Sequence, residues 1–167
     1  MHYNKVRKMD ISNGPGVRIS IFVQGCTFHC KNCFNPETHD FNGGKEFDDH
    51  TISTILDLCK NDSIRGLSIL GGEPLHPKNI EEVTRLAKIF KENYPNKDIW
   101  VWTGFHFEDL KEKEIFHYID VLVDGQFDDD LKDPRLKWRG SSNQRVIDIK
   151  RSLEAKRVEP YREEVLV

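Results

Sequence analysis

Short runs of β-branched and aromatic residues alternate with segments of helical period, and this alternation constrains the fold more than any other feature. The runs Arg18 to Val23, Gly66 to Leu70, Asp98 to Thr103, Ile119 to Val123 and Arg145 to Ile149 read as strands. The inner ones are almost continuously apolar, which suits strands covered on both faces. Between them, His50 to Asn61 places Ile52, Ile55, Leu56 and Cys59 on one helical face. Asn79 to Asn93 does the same with Ile80, Val83, Ala87 and Phe90, and Asn79 with Glu82 three residues later reads as a capping box. Phe107 to Tyr118 is a weaker third helix. Such alternation implies βαβ crossovers and a parallel sheet in an α/β domain. Five strands are too few to close an eight-stranded barrel, so an open, partial parallel β/α barrel in a single domain is expected. Functional groups then belong in loops at the carboxyl ends of the strands.

One such loop follows the first strand. It holds Cys26, Cys30 and Cys33, three of the chain's four cysteines, spaced C-x3-C-x2-C. The N-terminus has no apolar leader and no apolar run nears the roughly 20 residues needed to span a bilayer. A cytoplasmic location is therefore expected, where thiols stay reduced and clustered cysteines point to metal or catalysis rather than disulfides. The formal net charge of −3 gives no reason to expect nucleic acid or a membrane surface as partner.

Cys59 is accounted for by its apolar helix face, where a free thiol packs as a small hydrophobe. The loop cysteines lie among polar residues, His29, Lys31 and Asn32, so burial does not explain them. Two metal readings remain open. A structural zinc site needs four ligands, and His29 or His39 is available as the fourth. A four-iron cluster takes one thiolate per iron, so three cysteines leave one iron open to a small ligand. A second loop, Gly71-Gly72-Glu73-Pro74, follows the next strand at the same end of the sheet.

C-x3-C-x2-C followed by Phe34 resembles the signature of the radical S-adenosylmethionine superfamily, and Gly71-Gly72-Glu73-Pro74 is similar to its GGEP motif. Asn13-Gly14-Pro15-Gly16-Val17-Arg18 resembles the NGPG-x-R opening of glycyl-radical-enzyme activases. Asp98 to Gly104 and Asp120 to Gly125 are similar to strands of anaerobic ribonucleotide reductase activating proteins. Asp133 to Arg145 resembles the C-terminal signature of that family. The resemblance runs from about Asp10 to Ile149 and leaves the tail uncovered. It implies a radical-SAM-type partial-barrel domain over residues 1–149. Residues 150–167 form a charged C-terminal extension ending Val165-Leu166-Val167, which either docks on the body or a partner, or frays.

The resemblance also implies two cofactors. One is a [4Fe-4S] cluster, one per chain, on Cys26, Cys30 and Cys33. The other is S-adenosylmethionine, whose methionine chelates the open iron. By position, Asn32, Cys33 and Phe34 are expected on the adenosine side, and Gly72 and Glu73 at the methionine end. Gly72 is expected to leave space there. Asp124 and Gln126 are further candidates for polar contacts. No catalytic side chain is implied beyond the cluster and cofactor. The implied activity is that of an oxidoreductase. Reduced flavodoxin or a similar donor supplies an electron, the cofactor is cleaved to methionine and a 5′-deoxyadenosyl radical, and a backbone glycine of the anaerobic ribonucleoside-triphosphate reductase large subunit loses a hydrogen atom. Two other readings stand beside this one: an activase of another glycyl-radical enzyme such as pyruvate formate-lyase, and a zinc-stabilised binding module.

Overall fold

The two faces of a single strand, β2 (Val17–Val23), organise the molecule. Successive side chains of a strand point to opposite sides. Ile19, Ile21 and Val23 enter the main core, and Arg18, Ser20 and Phe22 occupy the other face. The computed structural model describes residues 1–163. In it, β2 lies inside a seven-stranded sheet of order β3-β1-β2-β4-β5-β6-β7. The other strands are β1 (His2–Asp10), β3 (Lys45–Glu46), β4 (Ile64–Gly71), β5 (Asp98–Trp102), β6 (Val121–Asp124) and β7 (Arg145–Asp148). The helices are α1 (Asp49–Leu58), α2 (Ile80–Asn93), α3 (Phe107–Leu110) and α4 (Ile149–Ala155). Among the described residues no helix is long and apolar enough to cross a membrane.

The central strands β2, β4, β5 and β6 pair in parallel, as the alternation predicts. The sheet as a whole is mixed, which corrects the all-parallel expectation. β1 pairs antiparallel with both β2 and β3, and β7 pairs antiparallel with β6. β1 and β3 leave little sequence signal, because β1 buries only Asp10 fully and β3 is two exposed residues long. β7 returns antiparallel because residues 125–144 carry no α-helix to serve as a crossover.

On one side of the sheet, Ile19, Ile21, Leu67, Ile69, Ile99, Val101 and Leu122 pack with Ile52 and Ile55 of α1 and Val83, Leu86 and Phe90 of α2. Cys59 is fully buried in this core. The opposite face holds a smaller cluster around Trp100, Val121 and Val123, with Trp102, Trp138 and Tyr161 against it. Two helix starts differ from each other. Asp48 caps α1, accepting from the Thr51 amide at 2.9 Å while Thr51 Oγ1 accepts from the Asp48 amide. The capping box expected at Asn79 is absent: its side chain makes no cap bond and points into the protein. The third expected helix divides into α3 and a 3-10 turn, Glu114–His117.

After α4 the chain returns along β7. Asp148 N donates to Glu159 O and Tyr161 N to Val146 O, both at 2.9 Å. The Tyr161 ring meets Trp100 with centroids 4.9 Å apart. The apolar end Val165-Leu166-Val167 lies outside the described residues.

Candidate active site

The loops after β2 and β4 both leave the sheet at its carboxyl edge and are joined there by their backbones. Gly72 N donates to Val23 O at 2.9 Å and Glu73 N to Gly25 O at 2.7 Å. Gly25 N and Cys26 N in turn donate to Thr38 O and His39 O. The approach is close enough to dictate glycine. A Cβ on Gly72 would lie 2.6 Å from Gly25 O and 2.8 Å from Thr38 O. Main chain this close is by itself a reason for glycine, and Gly72 also lines the cleft described below. Gly25, at φ +104°, needs glycine twice over, since a Cβ there would overlap the Phe41 ring.

Both loops face a cleft of about 500 Å³, within the usual range for small-molecule sites. Cys26, Cys30 and Cys33 line it, and all are free and partly buried. The loop winds tightly. His29 and Asn32 sit at φ +47° and +55°, and Cys33 N donates to Cys30 O at 3.1 Å. Burial pushes the Cys26 and Cys33 thiols up. A bound metal reverses that, because coordination deprotonates a thiol outright. Ligands on one zinc ion sit about 2.3 Å from it, hence within about 4 Å of each other. Among the described residues only His106, Glu108 and Asp124 gather three ligand atoms within 4.8 Å, and the cysteine loop does not. His39 Nδ1 meets His29 Nδ1 at 3.2 Å, while its buried Nε2 has no hydrogen-bond partner among the described residues. The remaining thiol, Cys59, is in the core, where burial pushes it up to about 12.

Glu73 also lines the cleft but is only 1% exposed. Its Oε1 accepts from Gly104 N at 2.6 Å, and its Oε2 from Thr103 Oγ1 at 2.7 Å and Leu75 N at 2.9 Å. Burial still outweighs these bonds and pushes the carboxyl up to about 7. Among the described residues no cationic side chain pairs with it. The arrangement is a fixed carboxyl group at the cleft wall, whose ionised form suits a ligand that brings its own positive charge.

The other expected site residues fall in different places. Phe34 lines the cleft, 59% exposed, with its ring 5.0 Å from Phe127 and Lys132 Nζ 5.5 Å from its centroid. Gln126 lines it too. Asn32 does not; its Nδ2 donates to Asp129 Oδ2 at 3.0 Å. Asp124 is fully buried beyond the lining, accepting from Phe107 N and held by Arg145. Thr103 and Gly104 were missed as site residues. Their position at the carboxyl end of β5, in the same layer as the two motif loops, was the available signal. Trp102, Lys132 and Arg139 were missed as well, and they line the wall contributed by late segments.

A family model described as a 4Fe-4S single cluster domain matches residues 12–147. The anaerobic ribonucleoside-triphosphate reductase-activating protein of Enterobacteria phage T4 is 40% identical over 146 residues, covering 87% of this chain and 93% of that protein. The protein of the same name from Pasteurella multocida is 43% identical over 150 residues, 86% of this chain and 95% of its own length. That of Escherichia coli K12 is 42% identical over 150 residues, 87% and 97% respectively. With this degree of identity along nearly the whole length of these relatives, and a 4Fe-4S single cluster domain model matched over most of the chain, the chain belongs to the family of anaerobic ribonucleoside-triphosphate reductase-activating proteins.

Proposed function

We propose that this protein activates an anaerobic ribonucleoside-triphosphate reductase by radical chemistry on S-adenosylmethionine. The observation that carries the reading is the meeting of Cys26, Cys30 and Cys33 with Gly72 and Glu73 in one cleft, with Cys59 remote in the core. Cys26, Cys30 and Cys33 would hold a [4Fe-4S] cluster through one thiolate each, which would leave one iron without a ligand from this loop. When bound, the cluster and cofactor supply a one-electron cleavage of the sulfonium C–S bond, giving methionine and a 5′-deoxyadenosyl radical that takes a hydrogen atom from a reductase glycine.

The chain's own residues do the binding and orienting. Glu73, fixed by Gly104, Thr103 and Leu75, presents its carboxylate to the methionine ammonium, and that cation offsets the burial of the anion. Cys33 and Phe34 flank the adenosine. Asn32 acts at one remove, orienting the cysteine turn through Asp129. The face bearing Phe22, Leu70 and Trp102 forms the inner wall of a partial barrel of the radical-SAM type and shields the site from water. The substrate is a glycine in a loop of the reductase large subunit, whose bare α-carbon can approach closely. The names of the relatives support the choice of partner. The electron donor in this reading is a reduced flavodoxin or similar protein, and the setting is the cytoplasm.

The test supplies reductase with its glycine α-deuterated, together with reductant and cofactor. Deuterium is expected in 5′-deoxyadenosine, and a glycyl-radical doublet in the paramagnetic resonance spectrum of the reductase. An active, radical-bearing reductase with deuterium-free 5′-deoxyadenosine overturns the reading.

A further inference from the structure

A single buried amide joins the two motif loops. Asn79 is 1% exposed, and its Nδ2 donates to Gln24 O and to Glu73 O, each at 3.0 Å. The first carbonyl lies two residues before Cys26, and the second belongs to the residue whose carboxylate faces the cleft. The strut has a rigid base, since Asn79 opens α2, which is anchored in the core through Val83, Leu86, Ala87 and Phe90. Its backbone is held as well: Asn79 N donates to His76 O at 2.8 Å, and Asn79 O accepts from Val83 N at 3.1 Å. The side chain forgoes the helix cap that its position offers and spends both N–H groups on the loops.

We propose that Asn79 is a positioning residue that sets the register between the cluster-bearing loop and the Gly72–Glu73 loop. This rests on the reading that S-adenosylmethionine bridges those loops. A ligand held at both ends binds well only if the two ends keep a fixed separation, and small displacements are costly. Two backbone bonds, Glu73 N to Gly25 O and Gly72 N to Val23 O, bring the loops together. Asn79 adds the constraint that ties both to the body of the protein.

The experiment uses anaerobically reconstituted full-length protein, wild type, Asn79→Asp and Asn79→Leu. Aspartate keeps the shape and cannot donate to two carbonyls; leucine removes both bonds. Iron per chain, melting temperature and the resonance spectrum of the reduced cluster are read, the last across a titration with S-adenosylmethionine. Both variants are expected to keep wild-type iron, because the three cysteines and the two backbone bonds that join the loops are untouched. The cofactor concentration that half-converts the spectrum is expected to rise about tenfold or more, the scale of two lost hydrogen bonds. Unchanged half-conversion in a variant with full iron overturns the proposal. So does a loss that only parallels falling iron and melting temperature, since that is a general structural role. If neither variant folds, Asn79→Ser, which is small and leaves the cavity to water, replaces them under the same criteria. A wild-type spectrum that ignores the cofactor sinks the underlying cofactor reading instead, whatever the variants do.

Discussion

The Gly104 amide donates to Glu73 Oε1 at 2.6 Å, so the loop after β5 clasps the carboxylate of the loop after β4. This contact joins two strand ends that are parallel neighbours in the sheet. It fixes the position of a carboxyl group whose burial still favours the protonated form.

That carboxyl group gives a pH signature. The Glu73 carboxyl titrates near 4.5 when unfolded and near about 7 in the fold. Between those values the folded state binds the proton more tightly. Stability therefore falls as pH rises from about 4.5 to about 7 and levels off above. The shift corresponds to about 3 kcal/mol across that window. Glu73→Gln is expected to remove this slope from urea unfolding of cluster-free protein between pH 5 and 8. A wild-type-minus-variant difference that stays flat with pH contradicts the burial argument.

Cysteine roles separate by iron content. Cys26→Ala, Cys30→Ala and Cys33→Ala are each expected to lose the [4Fe-4S] cluster. Cys59→Ala is expected to keep it and cost about 1 to 2 kcal/mol, as a small buried group shrinks. Iron and sulfide analysis beside thermal melts decides this. Iron loss in Cys59→Ala with a full cluster in a loop variant would reverse the assignment.

Gly72→Ala tests the backbone contact directly. The new methyl would meet two carbonyl oxygens, at 2.6 and 2.8 Å, and neither belongs to a side chain that can swing away. A cost of about 1 to 3 kcal/mol is expected, with weakened cluster retention as the loops part. Unfolding curves and iron content matching wild type would show that the loops yield.

Arg145 bridges Asp124 and Glu108, and the two partners should differ in weight. Asp124 is fully buried and its ion pair is 2.6 Å long; the Glu108 side chain is 53% exposed. Arg145→Met strands the buried carboxylate and is expected to cost about 3 to 5 kcal/mol. Glu108→Gln is expected to cost less than about 1 kcal/mol. Hydrogen bonds from Arg145 hold the Glu108 carboxyl down at about 2. Its contribution is thus in place above about 4.5 and is lost as pH falls toward about 2. Urea unfolding at neutral and acid pH measures both; equal costs for the two variants at neutral pH would refute the ranking.

The sequence by itself determined the four parallel strands at the centre, the helices α1 and α2, and the cysteine loop. Each is written in local spacing: apolar runs of strand length, apolar residues three and four apart, three cysteines within eight positions. It also separated Cys59 from the other thiols, because helical period alone places that residue on a buried face. The tertiary structure decided the rest. β1 and β3 form an edge almost without buried side chains, so nothing in their composition announces a strand. Gly72 is glycine because Gly25 and Thr38 come to it from the other loop. Asp124 looks like a cleft residue at the end of a strand, yet Arg145, 21 positions later, takes both its oxygens. Asn79 carries the spacing of a cap, but one of the two carbonyls it reaches lies 55 residues earlier. These outcomes depend on which distant backbone and side-chain groups arrive nearby, and a period of two or 3.6 residues carries no record of that.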